Sequence, residues 1–186
     1  ARLDLRFRDP LSHKLKRILD VMIAFFGLIF TLPIVFSALL LSVFESGFPM
    51  FFSQNRTGFL GQTYILFKIR TMRLNAEEKN AKWAEENDSR VTKTGSFLRK
   101  WRIDEIPQFW NVIKGEMSIV GPRPTVLEDY NKMTIHQKLR NKITPGLTGL
   151  SQISGNTFLK WPERIKLDLE YIEKQSFVYD LQIIFK

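Results

Sequence analysis

Residues 21–44 read VMIAFFGLIFTLPIVFSALLLSVF, 24 consecutive residues without a charge. As a helix rising 1.5 Å per residue, this run is about 36 Å long, enough to cross a bilayer core of about 30 Å. A helix in a soluble core ordinarily carries a polar face, and this one has none. The run is too long for the apolar region of a cleaved signal, and no small-residue cleavage pattern follows it. The sequence therefore predicts a membrane helix, with a soluble protein whose apolar run is core as the competing reading.

Two features complicate a simple crossing. Lys14, Lys16 and Arg17 precede the run, which favours a cytoplasmic N-terminal flank. Yet 22 of the 28 Lys and Arg follow residue 44, with Arg56, Lys68, Arg70 and Arg73 close behind. Pro33 lies near the middle of the run, where it removes one helical hydrogen bond and clashes with the preceding turn. A helix broken there can return to the face it entered, with Thr31 or Ser37 supplying a hydroxyl to the freed carbonyls. We expect a re-entrant helix-break-helix over 14–46; a kinked single span is the alternative.

Composition narrows the rest. The chain has 186 residues, enough for one domain with a core of its own. It contains no Cys, which excludes disulfides, thiol catalysis and Cys-based metal sites, and only two His, His13 and His136, which excludes a multi-His centre. A net charge of +9 points to an anionic partner: nucleic acid, anionic lipid or a phosphorylated substrate. With 44% hydrophobic residues the chain is not disordered.

Residues 1–13 read as a polar surface arm containing Pro10. Residues 64–69 (YILFKI) read as a strand preceded by a hairpin turn at 57–61. Residues 75–90 read as a solvated helix capped by Asn75. Apolar residues at 106, 109, 110 and 113 predict a helix from Asp104, stopped at Gly115. Gly121-Pro122-Arg123-Pro124 is a rigid loop, 126–142 reads as helical, 145–149 as a turn-rich break, and 161–174 as a helix with Pro162 in its first turn. Residues 177–185 form an apolar stretch, and the chain stops at Lys186 with no polar tail, so we expect the natural chain to run on. Phe48, Phe51, Phe52, Trp101 and Trp161 are candidates for headgroup level or for ordinary core.

The chemistry concentrates at Asp104-Glu105, two carboxylates at a predicted helix start beside Arg99, Lys100 and Arg102. The helix terminus and the cations should favour their charged forms. Acids that merely cap a helix are the plainer reading of the pair taken alone, but a loop bearing Arg123 follows within twenty residues. An ionised carboxylate among arginines is equipped as a nucleophile toward phosphorus. Arg99, Arg123, Lys68 and Arg70 are the phosphate-binding candidates, and two adjacent acids can hold a divalent cation that bridges phosphate oxygens. Neither a Walker-type loop nor a Gly-x-Gly-x-x-Gly fingerprint is present.

Several blocks stand in order along the chain: Lys16-Arg17-x-x-Asp20, 68–72 (KIRTM), 103–112 (IDEIPQFWNV), 114–118 (KGEMS), 120–124 (VGPRP), 145–149 (PGLTG) and 154–156 (SGN). Over residues 14–186 the chain resembles the bacterial sugar transferases, monotopic polyprenol phosphate phosphoglycosyl transferases of the PglC and WbaP type. The resemblance implies transfer of a phosphosugar from a UDP-sugar to a polyprenyl phosphate such as undecaprenyl phosphate, with release of UMP. It implies that Asp104 attacks the sugar-bearing phosphate and that Glu105 lies beside it at a magnesium site. It further implies that Arg99 contacts phosphate, that Arg123 serves the nucleotide end, and that the membrane helix breaks at Pro33. Two positions depart from the family pattern. Thr144 and Asn156 stand where arginines are frequent, which puts in doubt the transfer of site roles from that stretch.

We therefore expect an α+β, mostly helical membrane-associated domain with a small β element, divided as arm 1–13, membrane segment 14–46 and catalytic domain 47–186. Its place is the cytoplasmic face of the bacterial inner membrane, at the first membrane step of glycoconjugate synthesis. Partners are the UDP-sugar, the polyprenyl phosphate and membrane lipids, without nucleic acid; magnesium is the expected cofactor. A membrane-anchored basic binding module without catalysis is the rival reading. The sugar, the oligomeric state, and whether the chain is a whole enzyme or part of a larger one stay open at this point.

Overall fold

The computed structural model describes residues 10–74 and 88–186. The expected polar helix over 75–90 falls mostly outside them. Helix α1 covers Pro10–Ser46 among the described residues, so residues 10–13 of the expected polar arm are helical.

Helix α1 runs without interruption across Pro33, where the sequence predicts a helix-break-helix with a kinked single span as the alternative. The hydroxyls do bond carbonyls: Thr31 Oγ1 donates to Gly27 O at 2.6 Å and Ser37 Oγ to Pro33 O at 2.9 Å. The carbonyl that Pro33 deprives of an amide is that of residue 29, four back, so these bonds decorate neighbouring turns rather than repair the gap. From His13 to Ser46 the helix is long and apolar enough to cross a membrane. Its large side chains point outward, Phe30 being 76% and Phe44 86% exposed.

After α1, β1 (Phe51–Thr57) and β2 (Thr63–Ile69) pair in a two-stranded sheet, joined through a single 3-10 turn at Phe59–Gly61, as the sequence predicts. Helix α2 (Lys93–Lys100), a 3-10 turn at Ile103–Glu105 and α3 (Gln108–Lys114) follow. Strand β3 (Ser118–Val120) lies parallel to β4 (Gly146–Thr148), with Ser118 opposite Gly146 and Val120 opposite Thr148. Between them come α4 (Leu127–Lys132), α5 (Ile135–Lys138) and a 3-10 turn at Leu139–Lys142. The single helix predicted for 126–142 is split because Thr134 and Gln137 form a capping box that starts a new helix. Helices α6 (Leu150–Ile153), α7 (Trp161–Lys174) and α8 (Phe177–Ile184) complete the chain; α7 has the predicted bounds. The architecture is mostly helical α+β with two small sheets.

Contacts divide the chain into two compact units. Unit one comprises Ala1–Phe25, Asn55–Ile65 and Trp110–Lys186; unit two comprises Phe26–Gln54 and Leu66–Phe109. In unit one the membrane helix is secured by the Lys16-Arg17-x-x-Asp20 block. Asp20 accepts from Ser118 Oγ at 2.7 Å and from the Ile119 amide at 3.1 Å. Arg17 donates to the carbonyls of Val112 and Ile113, the free end of α3, and Lys16 pairs with Asp180 of α8. Charge at a helix C-terminus and buried polar pairing both favour this seat.

Unit two is built on a small core of Ala38, Ile69 and Leu98, flanked by Val35, Leu39 and Ile103. The segment after β2 is stitched to both neighbouring helices. Ser42 Oγ of α1 donates to Arg70 O at 2.7 Å, and the Thr92 amide, at the start of α2, donates to Thr71 O at 3.0 Å. A Cβ on Gly95 would collide with the Thr71 carbonyl, so α2 can approach this segment only through a glycine.

Candidate active site

In unit two the Asp-Glu pair follows a sharp corner. Thr92 caps α2 by accepting from the Gly95 amide at 2.8 Å, the helix runs to Lys100, and Arg102 adopts φ +54°, a left-handed turn that redirects the chain. Asp104 and Glu105 sit on the 3-10 turn, one turn ahead of α3, whereas the sequence predicts them inside its first turn. Pro107 accounts for the offset: it has no amide to close the preceding turn, so the α-helix is assigned only from Gln108.

Lys68 Nζ, from β2, donates to Glu105 Oε1 at 3.0 Å, and Arg102 Nη1 approaches Glu105 Oε2 at 3.2 Å. Both ion pairs go to Glu105, not to Asp104. Asp104 is 6% exposed, and burial pushes its carboxyl above the ordinary carboxylate value. Lys68 opposes that shift, Glu105 adds to it, and Arg99 opposes it. The sequence predicts cations strong enough to favour the anion; desolvation outweighs them, and that expectation is corrected. Arg99 is held by a bond from Nε to Thr71 Oγ1 at 2.7 Å. Arg70 keeps a buried Nη1 that has no hydrogen-bond partner among the described residues.

Unit two contains Lys68, Arg70, Arg99, Asp104 and Glu105, and of these Lys68, Glu105 and Arg99 act on the Asp104 carboxyl. Pro33 lies in the same unit, on α1. Arg123 belongs to unit one, on the loop after β3, where it keeps different company. Its carbonyl accepts from Arg140 Nη2 at 2.8 Å, and Arg140 is bound to the buried Asp168. Arg164 has its pKa lowered by burial and then by the Arg123 and Arg140 charges, with Asp168 opposing. Burial raises the Tyr64 phenol, which the nearby Arg56 and Arg123 lower. Arg56, Arg140 and Arg164 were not singled out from the sequence. The Arg164-x-x-x-Asp168 spacing on α7 was the one local signal.

A divalent cation bound by the protein alone needs several ligands, and among the described residues no group of three or more His, Asp or Glu is placed to hold one. A cation that takes most of its ligands from phosphate and water needs only one or two carboxylates. The Asp104 carboxylate, desolvated and outside any ion pair among the described residues, could supply such a ligand, with Glu105 adjacent.

A buried carboxylate with Lys68 and Arg99 near it and a second acid beside it is the arrangement this unit offers for chemistry on an anionic group. The chain matches the model of the bacterial sugar transferase family over residues 11–186, and it belongs to that family. It is 41% identical over 186 residues to the galactosyl transferase CpsE of Streptococcus agalactiae, covering 93% of this chain and 41% of that protein. It is 39% identical over 190 residues to the UDP-glucose:undecaprenyl-phosphate glucose-1-phosphate transferase of Escherichia coli, covering 95% of this chain and 41% of the relative. It is 38% identical over 170 residues to the sugar transferase EpsL of Bacillus subtilis, covering 91% of this chain and 83% of that one. The chain therefore spans about two-fifths of the first two relatives and most of the third.

Proposed function

We propose that the chain transfers a phosphosugar from a UDP-sugar to a polyprenyl phosphate, with Asp104 as the nucleophile. The observation that carries this reading is the environment of Asp104: buried, above its ordinary pKa, outside any ion pair among the described residues, and within the field of Lys68 and Arg99. A desolvated carboxylate is a stronger nucleophile than a hydrated one, and the same burial makes losing its charge to an ester favourable. An Asp104 oxygen attacks the phosphorus that bears the sugar, and the bond from that phosphorus to the oxygen bridging to the uridine phosphate breaks. UMP leaves with the bond's electron pair. A phosphate oxygen of the lipid then attacks the same phosphorus, the bond to Asp104 breaks, and the carboxylate is restored as the sugar-diphospholipid departs.

Arg99 is the fork for the transferred phosphate, fixed in place by Thr71. Lys68 holds Glu105 and offsets the two adjacent acids. Arg70 and, in unit one, Arg123 are proposed as further anion contacts, Arg123 for the nucleotide portion of the donor. Magnesium, when bound at Asp104 and Glu105, would offset diphosphate charge.

We further propose that α1 turns back at Pro33 as a bend within one helix, with both flanks on the cytoplasmic face of the inner membrane and 47–186 as the catalytic part. The positive charge on both flanks supports this. The exposed aromatics Phe48 and Trp101, 68% and 64% accessible, suit headgroup contact, whereas Trp161 lies under the Arg140 guanidinium at 5.6 Å. Incubation with UDP-sugars, without acceptor, followed by intact mass and peptide mapping tests the central step. A sugar-phosphate adduct on Asp104 is expected. Product formation with no adduct on that side chain under any quench would overturn it.

A further inference from the structure

Unit one contains a cavity of about 240 Å³ that the transfer chemistry above does not use. It is smaller than the roughly 300–1,000 Å³ typical of pockets that engulf drug-sized ligands. Its walls include His13, Lys16 and Arg17 of α1, Phe59 of the hairpin turn, and Lys142 and Thr144 just before β4. The basic side chains are not equivalent. Lys16 is committed to Asp180, with Asp20 at 3.9 Å. Among the described residues the Arg17 guanidinium is bonded only to neutral carbonyls, with no counter-ion. Lys142 is half-buried and makes no hydrogen bond or ion pair among the described residues.

Position along α1 supplies the second argument. His13 to Arg17 lie four to eight residues ahead of the uncharged run that begins at Val21. At 1.5 Å per residue that is about 6–12 Å along the helix from the edge of the apolar segment, and Arg17, at the near end, falls within a headgroup layer of about 5–8 Å. An unpaired ammonium, an uncompensated guanidinium, a threonine hydroxyl and an aromatic ring at that depth make a pocket for a phosphodiester with a small glycerol body.

We propose that this cavity binds the headgroup phosphate of an anionic membrane phospholipid, with Lys142 as its main ligand and Arg17 as the supporting charge. The bound lipid then ties the mouth of the membrane helix to the segment before β4. This proposal rests on membrane insertion of α1 but not on the role given to Asp104.

The test uses the chain in phosphatidylcholine micelles. Phosphatidylglycerol is titrated in at fixed ionic strength, and retained lipid is counted by native mass spectrometry. Wild type is expected to retain one phosphatidylglycerol with saturable affinity. Lys142→Gln is expected to weaken it about fivefold, the worth of one cation near a headgroup, and Lys142→Arg to keep it. Lys14→Gln, which removes an exposed charge outside the cavity, is expected to change it less than twofold. Retention by Lys142→Gln equal to wild type overturns the proposal. So does an equal loss in Lys14→Gln, which means diffuse attraction. Displacement of the lipid by millimolar inorganic phosphate also overturns it, because the site is then one for free anions.

Discussion

Asp104 in unit two and Asp168 in unit one are both buried carboxylates, and their surroundings are opposite. Asp168 accepts from Arg140 Nε at 2.8 Å, from Arg140 Nη2 at 2.6 Å, and from Ser151 Oγ at 2.8 Å. Asp104 is left at 6% exposure with cations near it but, among the described residues, none in an ion pair with it. A buried charge with its acceptor sites filled fixes structure, because breaking the pair leaves an uncompensated charge. A buried charge left short of partners costs stability, and such a cost is maintained where chemistry uses the group. The contrast separates an acid that holds its unit together from the one we propose as the nucleophile.

The largest effect should come from Asp104→Asn. Turnover with a UDP-sugar and a polyprenyl phosphate should fall by at least about 10³-fold, as for loss of a nucleophile, while the protein still folds. Its stability sharpens the contrast further. A carboxyl whose folded pKa is raised stabilises the fold fully below the unfolded value, 3.8, and loses that contribution as pH rises through the folded value. The melting temperature of Asp104→Asn should therefore equal or exceed that of wild type at pH 7. The gap should close as pH falls toward 3.8. A variant less stable than wild type at pH 7 would show that Asp104 is a structural acid.

Asp168→Ala should do the reverse. Removing one partner of a buried pair costs about 3–5 kcal/mol, a large share of a small domain's stability, and denaturant titration in detergent measures it. Activity should follow the folded fraction. Near-wild-type stability in this variant would dissolve the distinction between the two acids. A smaller effect is expected at the support of Arg99. Thr71→Val removes the acceptor for Arg99 Nε and should cost about 1 kcal/mol in kcat/KM, with melting shifted by no more than a few degrees. A loss of activity no greater than the loss of folded protein would remove Arg99 positioning from the account.

Much of this was legible along the chain because it is local. The β1–β2 turn followed from its glycines, α7 from its period and Pro162, and the end of α3 from Gly115, which adopts φ +89°. The pairing of β3 with β4 was not legible. Residues 145–149 carry the residues of a turn, and a three-residue parallel strand has no period of its own to detect. The division of 126–142 was signalled by Thr134 and Gln137, a capping box that the apolar pattern concealed.

The sequence by itself determined the membrane helix, the order of the motif blocks and the residues with chemistry to offer. These depend on hydropathy and spacing, which short-range forces read directly. Tertiary structure alone decided that Lys68 and Arg102 would be spent on Glu105, that Asp104 would be desolvated more than it is compensated, and that Arg123 would keep company with Arg140 and Arg164. Charge state depends on burial and on distances between residues far apart in the chain. Neither quantity is written in the chain's local pattern.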